Sequence, residues 1–283
     1  MTRPRALVAG AVALVVLAAA GCGDSSGAAE RPERGAPDAR AGGEALVVAA
    51  AADLRPAFEA LADDAEAAAG REITYVFGSS GQLAQQAREG APIDVFASAD
   101  GGYVDDVLAS GRGDADTRTT YAYGRVVLWA RDAAWGDWDD LADLADEAGL
   151  EAFAIANPEH APYGVAGREA LEATGVWDEV ADRVVYGENI ADAQRLVASG
   201  NADAGIVALS LAIAAGDDGR WLLLDEDLHA PLRQDLVVLA EDPERAAAAE
   251  AFVDTVTSGA GREVMRDHGF LLPGDEPPEA WER

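Results

Sequence analysis

Apolar residues fall along the chain in short unbroken runs: ALVVA at 45–49, ITYVF at 73–77, DVFAS at 94–98, RVVLWA at 125–130, AFAIA at 152–156, RVVY at 183–186, AGIVA at 204–208 and DLVVLA at 235–240. Runs this short, rich in β-branched and aromatic side chains, predict buried strands. Between them lie alanine-rich stretches with a helical period. In LRPAFEALADDAEAAAG, Leu54, Phe58 and Leu61 share one face, and Gly70 ends the run. Strands and helices in alternation argue for parallel sheets covered by helices. No repeat of solenoid period and no heptad pattern interrupts this.

In such α/β folds a ligand binds just beyond the carboxyl ends of the strands, where loops enter helix N-termini. The strand exits here are small, polar or glycine-bearing: AAADLR, GSSGQLAQQ, NPEHAPYG, GENIADAQ and ALSLA. Helix N-termini that converge on one cleft present unpaired N–H groups and positive dipole ends, which suit a compact anion. The GSSG stretch adds two hydroxyls and two glycines that let the backbone approach closely. Taken singly, Asp53 and Ser80 read as ordinary N-caps. Their recurrence at the same end of successive βα units is what points to a ligand.

Composition narrows the class. With 283 residues, 49% of them hydrophobic, the chain can bury the core of one large domain or of two lobes. A formal net charge of -31, from 21 Lys+Arg against 52 Asp+Glu, opposes attraction to phosphate backbones and excludes nucleic acid as a partner. Residues 1–22 carry Arg3 and Arg5, then an uncharged run from Ala6 to Ala20, then Gly-Cys, the pattern of an export signal too short to span a membrane. Cys22 is the only cysteine, so no disulfide framework follows. The sequence AAAGC resembles a bacterial lipobox, which implies that Cys22 is lipidated and becomes the mature N-terminus on the extracytoplasmic face of the cell membrane; Ala19, where lipoboxes carry leucine, leaves cleavage and release as the alternative. Residues 23–43 have no apolar period and read as a flexible tether, with the folded part beginning near Glu44. The acidic stretch 135–149 reads as solvated helix surface or as a docking face for basic loops.

Enzymatic signatures are sparse. None of His160, His229 and His268 sits in a metal-binding or nucleophile-elbow motif. His160 alone has company, Glu159 and Tyr163, and it reads as loop-structuring. A hydrolase built on the serine loop is the runner-up of another class, because GSSG lacks the G-x-S-x-G arrangement and a triad partner.

Five stretches, VVAAAADL, FGSSGQLAQQAREGAPIDVFASAD, AIANPEHAPYGVAGREAL, GENIADAQRLVASGNADAGIVALS and GREVMRDHGF, follow one another in an order that resembles the molybdate-binding subunit of ABC importers, covering Leu46 to about Phe270. The resemblance implies a bilobal periplasmic-binding-protein fold of type II, two α/β lobes joined by crossing strands near 125–131 and 231–239. Lobe one would be 44–127 with 235–283, and lobe two 128–234. It further implies a monomeric binding protein with no cofactor, which holds molybdate or tungstate between the lobes without chemistry and delivers it to a membrane permease. Another oxyanion such as phosphate or sulfate is the alternative. Molybdenum would enter only as the oxyanion, never as a free metal cation. Carried over position by position, the family's first hydroxyl contact falls at Asp53, or at Ala52 if the alanine run shifts by one, and the second at Ser80 with Ser79 adjacent. Backbone contacts fall at Tyr163 and Ile190, and the tyrosine of the last loop falls at Ala208, where Ser210 is the nearest substitute.

Asp53 is the residue that fits worst, since a carboxylate beside a dianion is repulsive where water is excluded. Three readings are open. In the favoured one Asp53 caps its own helix by accepting the Arg55 N–H, with Pro56 in the first turn. In the second it accepts a hydrogen bond from a ligand that carries a proton, such as hydrogen phosphate. In the third it meets a metal or another cation, although Tyr121 and Tyr123 read as core or cleft wall rather than as a ferric site.

Overall fold

The protein, as a computed structural model, is described here over residues 44–131, 134, 138–146 and 149–275. The expectations for the export signal, Cys22 and the tether fall on residues outside that description. Among the described residues there are ten strands: β1 (Leu46–Ala51), β2 (Ile73–Gly78), β3 (Val95–Ser98), β4 (Thr119–Gly124), β5 (Val126–Ala130), β6 (Phe153–Ala156), β7 (Val184–Gly187), β8 (Ala204–Ala208), β9 (Arg220–Leu223) and β10 (Leu232–Val238). They divide into two five-stranded sheets, ordered β2-β1-β3-β10-β4 and β7-β6-β8-β5-β9. This is the bilobal type II arrangement, one α/β lobe around each sheet.

Both sheets are mixed, where the alternation of strands and helices had predicted parallel ones. β1, β2 and β3 are parallel, but β10 runs antiparallel to β3 and β4, and β5 runs antiparallel to β8 and β9. The cause is the route between lobes. Only Arg125 separates β4 from β5, so β5 enters its sheet at the end where β8 finishes, pairing Val126 with Ala208. β10 likewise lies with Asp235 opposite Ser98, the last residue of β3, and runs away from the cleft. A strand that comes from the other lobe must begin where its neighbours end.

The core follows the apolar runs. Leu46, Val48, Leu54 and Phe58 in the first lobe and Leu128, Phe153, Ile155 and Ile206 in the second are fully buried. The long alanine-rich run after β1 is two helices, α1 (Arg55–Ala60) and α2 (Ala62–Ala69), which meet at Leu61. Gly70 ends α2 in the left-handed conformation, φ 67°, as its position predicts. β9 escaped the sequence reading because it is a short edge strand, only partly buried. Among the described residues the remaining α-helices are α3 (Ser80–Arg88), α4 (Gly101–Ala109), α5 (Pro162–Ala173), α6 (Trp177–Val180), α7 (Ile190–Ala198), α8 (Leu209–Ala215), α9 (Pro243–Thr257) and α10 (Gly259–Asp267). Among the described residues no helix is long and apolar enough to cross a membrane.

Candidate functional site

Strand exits from both lobes meet at one small cavity of about 10 Å³. Ala51, Ala52 and Asp53 reach it from the end of β1, Gly78, Ser79 and Ser80 from the end of β2, and Ala99 from beyond β3. The second lobe contributes Ala161, Pro162 and Tyr163 at the start of α5, and Asn189 and Ile190 at the start of α7. The structure thus gathers Ala52, Asp53, Ser79, Ser80, Tyr163 and Ile190 in one place. Ala208 and Ser210 do not line the cavity; Ser210 lies behind it and donates its hydroxyl to the Asp53 carbonyl at 2.8 Å.

Two of the helices that open here are uncapped. The residues at the cap positions of α3 and α5, Ser79 and Ala161, make no side-chain cap hydrogen bond; the Gly81 N–H goes to the His160 carbonyl, and the Ser80 and Tyr163 N–H groups are left to another acceptor. By contrast Asp100 caps α4, Asp242 caps α9, and Asn189 caps α7 by accepting from Asp192 N at 3.0 Å. Ser80 Oγ accepts the Ala99 N–H at 3.0 Å, which ties α3 to the end of β3.

Asp53 does not cap α1, and the favoured reading of this residue is corrected here. It sits inside a 3-10 turn, Ala52–Leu54, and the cap position of α1 is Leu54, without a side-chain bond. Its carboxylate turns instead toward the other elements of the site. Oδ2 accepts from the Tyr163 phenol at 3.0 Å and from Gln234 Nε2 at 2.7 Å, whereas Oδ1 is buried and has no partner. Gln234 is held in turn by Tyr121, whose hydroxyl donates to Gln234 Oε1 at 2.9 Å. A register shift in the β10–β4 pairing leaves Tyr121 unopposed beside Gln234, the kind of bulge that re-aims a side chain. Burial raises the Asp53 carboxyl to about 6, against the opposing effects of its Gln234 and Tyr163 hydrogen bonds and of its own backbone N–H. The Tyr163 and Tyr121 phenols are pushed well up, first by burial and then by the nearby Asp53 charge.

His160, read from sequence as loop-structuring, also joins the lobes. Its Nδ1 lies 2.9 Å from Ser79 Oγ, its carbonyl accepts the Gly81 N–H at 2.9 Å, and Gln82 Nε2 donates to Glu188 Oε2 at 3.1 Å nearby. Sequence reasoning missed Gln234 altogether; its signal was a polar Gln-Asp pair inside the apolar crossing strand PLRQDLVVL. The described residues hold no cluster of three or more metal-ligating side chains, and no lysine or arginine lines the cavity.

Comparison with known proteins agrees with this geometry. Residues 46–271 match the family described as bacterial extracellular solute-binding protein. The molybdate-binding protein ModA of Rhodobacter capsulatus is 37% identical over 231 residues, 82% of this chain and 89% of the relative. Among solved structures, the periplasmic molybdate-binding protein of Azotobacter vinelandii superposes with a TM-score of 0.73 at 30% identity, covering 81% of this chain and 99% of that one. The sulfate-binding protein SubI of Mycobacterium tuberculosis, TM-score 0.67 at 16% identity, shares the fold. By its sequence match, its paired sheets and its cavity at the strand exits, the chain belongs to the bacterial extracellular solute-binding protein family.

Proposed function

We propose that this protein captures molybdate, and with it tungstate, in the cavity between its lobes and delivers the anion to the membrane permease of an ABC importer. The observation that carries the reading is the donor set: two uncapped helix N-termini and the serine loop face a small cavity with no basic side chain. Fixed N–H dipoles of this kind hold a compact dianion without a counter-charge. The names of the relatives support molybdate over the other tetrahedral oxyanions. Ala52, Ser79, Ser80, Tyr163 and Ile190 are the proposed contacts, with Ser210 supporting the Asp53 turn behind them. The lobes hinge where the chain passes between sheets, and the anion favours the closed form by bonding to both sides. Export, a lipid on Cys22 and a monomeric mature chain complete the proposal.

A thermal-shift series with molybdate, tungstate, sulfate, phosphate and thiosulfate at equal concentration tests it. A ligand at about a thousand times its Kd stabilises by roughly 4 kcal/mol, a shift of several degrees. Stabilisation by molybdate and tungstate is the expected result. Stabilisation by phosphate or sulfate in their place, or by none of the five, would overturn it.

A further inference from the structure

We propose that Asp53 serves the cavity as a neutral acid, its Oδ1 carrying a proton that it donates to the bound oxyanion, so that a fully deprotonated anion enters together with one proton. This rests on the oxyanion reading above and names the group that decides which oxyanions the site accepts.

The geometry leaves Asp53 half-satisfied. It is fully buried and lines the cavity, and both of its side-chain donors, Tyr163 and Gln234, converge on Oδ2. Oδ1 has no partner. An ionised Oδ1 would set a bare negative charge beside the anion where water is excluded, whereas an Oδ1–H in the same place makes a charge-assisted hydrogen bond.

Among the described residues no cation lines the cavity or bonds to Asp53 to relieve that conflict. α5 faces Asp53 with the phenol of Tyr163 and β4 with that of Tyr121, both driven to the neutral form. α8 carries no ionisable side chain, and β2 only Tyr75. On α1, Arg55 and Glu59 pair with each other in solvent. On α7, Arg195 pairs with Asp192. On β10, Asp235 beside Gln234 is held by Arg118 and Thr120. His160, in the loop before α5, meets Ser79 rather than Asp53. With Asp53 already raised to about 6 by burial, an incoming dianion raises it further.

The proton balance is simple. Above about pH 6 the free protein holds Asp53 as a carboxylate; on binding, one proton leaves the buffer and bonds to Oδ1, and no other bond is made or broken. Below about pH 6 Asp53 is already protonated and nothing is taken up. Affinity for molybdate is therefore flat in acid and falls as pH rises, by up to about tenfold per unit. An anion that carries its own proton, such as hydrogen phosphate, would bring the shared proton with it. An acid donor also favours the more basic of two oxyanions of equal charge and shape, which separates molybdate from sulfate.

Isothermal titration of the whole protein with sodium molybdate, between about pH 6 and 8.5 in buffers of different ionisation enthalpy, tests this. The expected result is an uptake near one proton per anion at the alkaline end, with Kd rising toward about tenfold per unit. Asp53→Asn, whose amide N–H replaces Oδ1–H, should bind with no uptake and a flat profile, while His160→Gln should keep the uptake. Tight binding by the unaltered protein with no buffer dependence overturns the proposal alone, as does uptake that disappears in His160→Gln and persists in Asp53→Asn. Preferential binding of phosphate without uptake makes Asp53 an acceptor and overturns it too. No binding of any oxyanion removes the functional reading and this proposal together.

Discussion

Asp53 brings its burial cost into the stability of the empty protein. Its folded-state value of about 6 lies above the ordinary 3.8, so the folded chain holds the proton more tightly than the unfolded one. Stability is therefore greatest below the ordinary value, falls as pH rises from about 4 to about 6, and is flat for this group above that. The two-unit gap corresponds to about 3 kcal/mol at neutral pH. Asp53→Asn keeps an acceptor for Tyr163 and Gln234 and removes the charge. Urea unfolding without ligand should show the variant more stable by up to about 3 kcal/mol near pH 7.5, with the gain vanishing near pH 4. An equal stability at both pH values would mean that the carboxylate is solvated in the empty, open form. A residue that weakens the fold at neutral pH and sits at the cavity is the pattern expected of a group kept for binding.

At the scale of elements the site depends on how closely β4 and β10 approach α5. A Cβ on Gly124, the last residue of β4, would collide with the Tyr163 hydroxyl and lie 2.8 Å from Gln234 Nε2. Gly124→Ala must therefore push the phenol or the amide off Asp53. Because Gly124 is not among the positive-φ glycines, its backbone suits alanine and the strand should survive. The expected outcome is a drop in molybdate affinity of about tenfold or more, for the loss of one or two buried hydrogen bonds, with a cooperative melt retained.

The same network marks where the sequence stopped being legible. Apolar runs located eight of the strands, and the glycine and serine loops located the cavity walls, because both signals are local. The partners of Asp53 stand 110 and 181 residues away along the chain, and no spacing rule relates them. An aspartate just ahead of a helical run reads as a cap. Here the helix starts after a 3-10 turn that already contains the residue, and this frees its side chain for Tyr163 and Gln234. The mixed sheets were hidden for the same reason: strand direction depends on which lobe the chain has just left, and alternation of strands and helices does not record that.

At the scale of the whole molecule, a formal net charge of -31 surrounds a site meant for an anion. The two fields act at different ranges. Helix N-terminal dipoles fall off within a turn and act once the anion is in the cleft, whereas the net charge repels it over about one Debye length, which in dilute buffer is about 30 Å at 0.01 M salt. At about 0.15 M it shrinks to about 8 Å, and the approach is screened while the buried contacts are not. The association rate for molybdate, followed by stopped-flow fluorescence of the tryptophans, should therefore rise with sodium chloride over this range. The dissociation rate should change far less, since release breaks buried bonds and interlobe contacts such as Ser79 with His160. An association rate that stayed constant or fell would mean that the cleft presents a locally positive field strong enough to overcome the negative surface, and would assign capture to the helix N-termini alone.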